Sequence, residues 1–233
     1  MALTISGGDL GYYASSRFCR RCAWVRLHVK PLPYQSFPGI FSSIDRYNKL
    51  VVNSYFERHG SLPSWLGGLG KVEASINPPH WSAYSILDAD SGVTLRGEAD
   101  AIFKMTDGSY TIVDYKTSRY TPYQERLFPL YEAQLNAYAL IGEQCGLEPV
   151  TGLALIYTEP ATSDDDAAGE GVHRDDGFAM GFVANVVPVE LNTSIIGPLL
   201  VRVRDILDSD ISPFGRRNCR NCRLLKDLLD VAG

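Results

Sequence analysis

Apolar positions along the chain follow two rhythms, one of period two and one near 3.6. Ser42 to Arg58 carries Ile44, Tyr47, Leu50, Val51 and Tyr55 at helical spacing, and Gly60 just beyond suits a left-handed cap. Leu62 to Gly70 is rich in glycine and proline and reads as a loop. Strands are predicted at 71–77, 81–88, 93–104 and 110–116. A helix from Leu130 to Gln144 follows, turning Leu135, Tyr138 and Ala139 toward the sheet. Thr151–Thr158 and Phe178–Val189 are further strands. Thr193–Leu207 is a helix, with Pro198 in its first turn or at a kink. Asp164–Asp176 is acidic and non-periodic, and reads as an exposed loop. The order of helix, strand meander, helix, two strands and helix suits an α/β core with a mixed sheet.

One stretch, Leu95 to Ser118, adds chemistry to that pattern. Thr106-Asp107-Gly108 between two apolar runs is a hairpin signal. Asp114 and Lys116 are two apart on the second run, so they share one face. Pairing across the turn brings Asp100, expected on the partner strand, near Asp114. Two carboxylates that close repel unless a cation lies between them. Oxygen ligands select a hard cation such as Mg²⁺ or Mn²⁺. Taken alone, Asp114 and Lys116 read better as a surface hairpin with a cross-strand salt bridge.

Composition narrows the class without deciding it. The 233 residues allow one large domain or two small ones; 45% hydrophobic and 21% charged content are ordinary for a globular fold. The net charge of −5 argues weakly against a nucleic-acid partner. No apolar run reaches the roughly 20 residues of a membrane helix. The opening MALTISGGDLGYY lacks a secretory pattern, so a cytoplasmic protein with no membrane partner is expected.

The cysteines and the distribution of charge change that picture. Cys19/Cys22 and Cys219/Cys222 form two C-x-x-C pairs near opposite ends of the chain. In a cytoplasmic protein such pairs indicate metal rather than disulfide, and together they complete a tetrahedral set that would join the termini. Arg17, Arg20, Arg21, Arg26 and Lys30 surround the first pair; Arg216, Arg217, Arg220, Arg223 and Lys226 surround the second. Joined, they form one basic, DNA-binding patch; apart, each reads as a solvated helix end. Cys145 is expected to be a small core residue.

Gly97 and Asp100, then Asp114-Tyr115-Lys116-Thr117, then Gln134 and Tyr138 appear in the order and spacing of the PD-(D/E)XK nuclease superfamily, and the pattern resembles its RecB-like branch. The resemblance implies a restriction-endonuclease-like α/β core in which 1–233 form a single domain, with 15–30 and 215–230 as a cysteine/arginine metal-binding subdomain. It implies a Mg²⁺- or Mn²⁺-dependent DNA nuclease, an exonuclease acting on single strands or DNA ends. Asp100, Asp114 and the Tyr115 carbonyl would hold the metal, and Lys116 would orient water or stabilise developing charge. Gln134 would point into the site, with Tyr138 supporting it or touching DNA; Glu98 would be a nearby acid. Many members carry a histidine on the preceding helix. By position Asp45 takes its place here, with His59 the competitor.

The chain is also similar to the CRISPR-associated iron–sulfur exonucleases, which implies a four-iron–four-sulfur cluster on Cys19, Cys22, Cys219 and Cys222. Those relatives hold theirs with one cysteine before the core and three after. This chain offers two and two, which keeps zinc as the alternative. CRISPR adaptation or DNA repair, within a DNA-processing complex, is the implied setting. The alternative function is a catalytically weak or inactive nuclease fold that binds DNA or a partner.

Overall fold

The computed structural model describes residues 3–29, 38–121 and 126–232. Lys30, assigned above to the basic patch, lies outside them. The helices are α1 (Gly7–Ala14), α2 (Arg20–His28), α3 (Gly39–His59), α4 (Phe128–Gln144), α5 (Asp164–Ala167), α6 (Ile196–Leu207) and α7 (Arg220–Ala232). The strands are β1 (Leu3–Ser6), β2 (Val72–Ile76), β3 (Ser85–Asp88), β4 (Val93–Arg96), β5 (Ala101–Met105), β6 (Tyr110–Lys116), β7 (Val150–Pro160), β8 (His173–Arg174), β9 (Gly177–Phe178) and β10 (Phe182–Val189). A five-stranded sheet in the order β10-β7-β6-β5-β2 forms the centre. It is mixed: β6 and β7 run parallel and the other neighbours antiparallel. Helices flank it, consistent with a restriction-endonuclease-like core. Among the described residues no helix is long and apolar enough to cross a membrane.

Alternation along β6 sorts the core into two layers. Ile112 packs on one side with Leu135 and Ile141 of α4 and with Val203 of α6. Val113 and Tyr115 pack on the other with Phe103, Ile156, Leu66 and Val52.

The predicted strand 93–104 is two strands in two sheets. β4 lies between β1 and β3 in a small three-stranded sheet, whereas β5 belongs to the central one. Residues 97–100 cross between them, so Asp100 sits just before β5 rather than on it. The crossing turns on Gly97, where a Cβ would meet the Tyr84 ring at 2.4 Å. Tyr84 is fully buried and its hydroxyl donates to the Tyr138 carbonyl at 2.5 Å. The predicted strand at 81–88 accordingly shortens to β3.

Three further differences have local causes. β1 and α1 form where the pattern shows nothing, because Gly7 and Gly11 make a smooth face against α4. A Cβ on Gly11 would lie 2.3 Å from the Leu130 carbonyl oxygen. Ser6 caps α1 by accepting the Asp9 N–H at 3.0 Å. The acidic stretch is exposed, but it contains α5, started by a Ser163/Asp166 capping box, and the short β8–β9 pair. Helix α3 runs as predicted, yet its apolar stripe faces outward. Tyr47, Leu50, Val51 and Tyr55 are exposed, and Asn48 and Val52 are its buried residues. Asn48 Nδ2 donates to Thr158 Oγ1 at 2.6 Å and to Thr117 Oγ1 at 3.4 Å, which sets the helix's rotation on the sheet.

Candidate active site and cysteine centre

Register brings the first acids together. Ala101 pairs with Val113, so Asp100, one residue earlier, comes opposite Asp114. Asp100 Oδ2 accepts the Tyr115 backbone N–H at 2.8 Å. Its Oδ1 accepts from Lys49 Nζ at 2.6 Å, and the same ammonium lies 2.9 Å from Asp45 Oδ2. Lys49 therefore stands between Asp45 and Asp100 where a cation would. Burial works to lower its pKa, but the charge of Asp100 and its hydrogen bond outweigh that and raise it.

Asp114 is 3% exposed. Its Oδ1 accepts from Gln134 Nε2 at 2.8 Å, and that amide also donates to the Tyr138 hydroxyl at 3.0 Å. Gln134 Oε1 in turn accepts from Lys116 Nζ at 3.4 Å. Lys116 pairs by charge with Asp114 Oδ2 and lies 4.3 Å from the centre of the Tyr131 ring. Among the described residues Asp114 Oδ2 is buried against the Lys116 ammonium, and no hydrogen bond of good geometry reaches it. Burial pushes the Asp114 carboxyl up to about 6; Lys116 pulls it back and Asp100 pushes it further. A hard divalent cation fits this donor set. It would share Asp114 Oδ2 with Lys116 and reduce the repulsion between the two acids.

A cleft of about 440 Å³ opens at this point, lined by Asp45, Tyr115, Lys116, Thr117 and Tyr131 among others. A second groove of about 460 Å³ lies on the other side of Tyr115. Tyr47, Val51, Trp65, Met180 and Phe182 line it.

Tyr138 is 4% exposed, so its place is beneath Gln134 rather than on a surface that DNA could touch. The His59 ring lies tilted against Tyr55 with centroids 4.2 Å apart, at the opposite end of α3 from Asp45. Glu98 is exposed. Sequence reasoning missed Lys49, Asn48, Tyr84 and Tyr131. Lys49 is one helical turn beyond Asp45 and Tyr131 one turn before Gln134, so the i,i+4 and i,i+3 spacings could have found both.

The four paired cysteines meet on the other flank. Cys19 is the N-cap of α2 and Cys219 immediately precedes α7, so each C-x-x-C starts a helix. Sγ of Cys19 lies 3.6 Å from that of Cys222; Cys22 lies 3.5 Å from Cys219 and 3.6 Å from Cys222. The set could hold a metal, since all four sulfurs are within 4.8 Å of one another. Burial works to raise the Cys19 thiol, but the backbone N–H groups of Arg216 and Cys22 outweigh it and bring the pKa down to about 7. Burial holds Cys22 far above the thiol range and pushes Cys222 up to about 11. Arg20, Arg216, Arg217, Arg220 and Arg223 are exposed around the centre. Cys145 is exposed and separate, not the core residue expected.

The sequence profile of the PD-(D/E)XK nuclease superfamily matches residues 55–225. The chain belongs to that superfamily, whose members are typically metal-dependent nucleases acting on nucleic acid. No curated protein sequence matches it. Among solved structures it is similar to one described as "Crystal structure of SSO0001", at 16% identity, covering 90% of this chain and 78% of that one, with a TM-score of 0.43.

Proposed function

We propose that this chain is a Mg²⁺- or Mn²⁺-dependent deoxyribonuclease of the RecB-like branch, an exonuclease that takes single strands or DNA ends. Asp114, buried beside Asp100, carries the reading: its Oδ2 pairs with Lys116 but has no hydrogen bond of good geometry, and two carboxylates that close repel unless cations offset them. Asp100, Asp114 and the Tyr115 carbonyl would hold the metal, with Asp45 completing the set from α3. Held there, a metal would supply polarisation of a phosphoryl oxygen and a more acidic water. Lys116 orients the attacking water and neutralises charge developing on the phosphate. Gln134 fixes both Asp114 and Lys116, and Tyr138 fixes Gln134. The aromatic groove beside Tyr115 supports a single-stranded substrate, since bases stack on such side chains irrespective of sequence. The arginines around the cysteines supply phosphate contacts. Residues 1–233 act as one domain, with the two cysteine/arginine segments as its metal-binding subdomain.

The test is cleavage of end-labelled single-stranded and duplex DNA with Mg²⁺, Mn²⁺ or EDTA. Metal-dependent shortening from the ends that Asp114→Ala loses supports the reading. One observation favours a second reading, an inactive DNA-binding fold: Lys49 already neutralises Asp45 and Asp100. DNA retention without cleavage under either metal would select it.

A further inference from the structure

The spacing of the four sulfurs bears on what they bind. A zinc ion with thiolates at about 2.3 Å places neighbouring sulfurs roughly 3.8 Å apart at the corners of a tetrahedron. A four-iron–four-sulfur cube has iron at alternate corners, each with an outward thiolate, so its cysteine sulfurs stand about 6 Å or more apart. Here three sulfur pairs lie at 3.5–3.6 Å and all lie within 4.8 Å. We propose that Cys19, Cys22, Cys219 and Cys222 hold a single tetrahedral zinc ion in place of the four-iron cluster that the resemblance implies.

The surroundings hold the set at that size. To admit a cube, every sulfur would have to retreat by more than an ångström, roughly, from the common centre. Cys19 is 1% and Cys219 9% exposed, so neither has open space behind it. Cys19 Sγ is held from outside by the Arg216 N–H at 3.2 Å, and the Cys19 N–H donates to the Tyr12 hydroxyl at 3.2 Å. At Gly215 a Cβ would come 2.8 Å from Cys222 Sγ, so the chain before α7 already lies against that sulfur. Both C-x-x-C units open a helix, and the two N-termini bring partial positive charge to the thiolates. Binding releases the thiol protons and forms four Zn–S bonds, with no change of oxidation state. The ion is therefore a redox-silent clamp between chain positions 203 apart, Cys19 and Cys222. This conclusion is independent of the nuclease reading.

The experiment is metal and sulfide analysis of the full chain, purified without oxygen from iron-supplied cells and without added zinc. About one zinc per chain, no acid-labile sulfide and a colourless protein are expected. Cys222→Ser should lose the zinc, whereas Cys145→Ser should keep it. Exchange with Co²⁺ should give the intense visible bands of a tetrahedral thiolate site. The cobalt spectrum of the unaltered chain is the second measurement, and it does not depend on the folding of Cys222→Ser. Iron accompanied by sulfide, zinc retained in Cys222→Ser, or no bound metal would overturn the proposal.

Discussion

The carboxylate site and the cysteine centre both gather groups that repel one another when ionised, and they manage that repulsion differently. The carboxylate site carries its own cations. Lys49 spans Asp45 and Asp100, and Lys116 pairs with Asp114. Such a site can stand without metal, although Asp114 Oδ2, buried against Lys116, has no hydrogen bond of good geometry. Among the described residues no lysine pairs with the four sulfurs. Burial pushes the Cys22 and Cys222 thiols up, so a metal binding all four sulfurs would have to displace their protons. The difference teaches which site depends on metal for its shape. In the first a cation would be a guest of a preformed sheet; in the second it would complete the packing between α2 and α7.

The largest expected effect breaks the first half of that comparison. Asp114→Ala should reduce Mg²⁺-supported cleavage by at least about 10³-fold, equivalent to roughly 4 kcal/mol of transition-state stabilisation. The circular dichroism spectrum should not change. Cleavage at the unaltered rate would show that Asp114 is not in the site. The same carboxyl has its folded pKa raised to about 6 from 3.8, so its contribution to stability is complete below 3.8 and is lost as pH rises through about 6. Asp114→Asn should lack that loss: in metal-free melts, its advantage over the unaltered chain should grow across this window.

Next comes the second half. Cys219→Ser should loosen α2 and α7 together, seen as simultaneous proteolysis near both ends, while Asp100, Asp114 and Lys116 remain in the sheet. A structural zinc contributes about 10–16 kcal/mol at neutral pH, so the melting temperature should fall well outside error. DNA affinity should fall as well, because the arginines no longer converge. If one end were cut and the other stayed resistant, the shared clamp would be wrong.

A smaller change lies where neither metal acts. Gly11→Val forces atoms into the 2.3 Å approach to Leu130, and should cost about 1–3 kcal/mol in urea melts. An unchanged midpoint would mean that α1 does not pack on α4 as described. The smallest effect sharpens the contrast of guest and clamp. Lys49→Gln removes the internal cation, so Mg²⁺ titrated by calorimetry should bind up to about fivefold more tightly, the scale of a partly exposed ion pair. Weaker binding would instead make Lys49 a support for the acids rather than their stand-in.

What the chain's pattern could reveal was local. The Asp-Gly turn set the β5–β6 register, period two put Asp114 and Lys116 on one face, and the i,i+4 spacing put Gln134 above Tyr138. These follow from backbone geometry over a few residues, which is why they were legible. The rotation of α3 was not, because its apolar stripe points to solvent while the buried Asn48 bonds to Thr117 and Thr158. Lys49 between Asp45 and Asp100 depends on that rotation. The split of 93–104 into two sheets depends on Tyr84 lying over Gly97, and the α1 contact on two glycines that read as loop. The cysteine spacing suggested a metal, but only the folded chain sets four sulfurs at distances that one ion can span. Such distances are fixed by packing between segments far apart in sequence, and no periodicity along the chain encodes them.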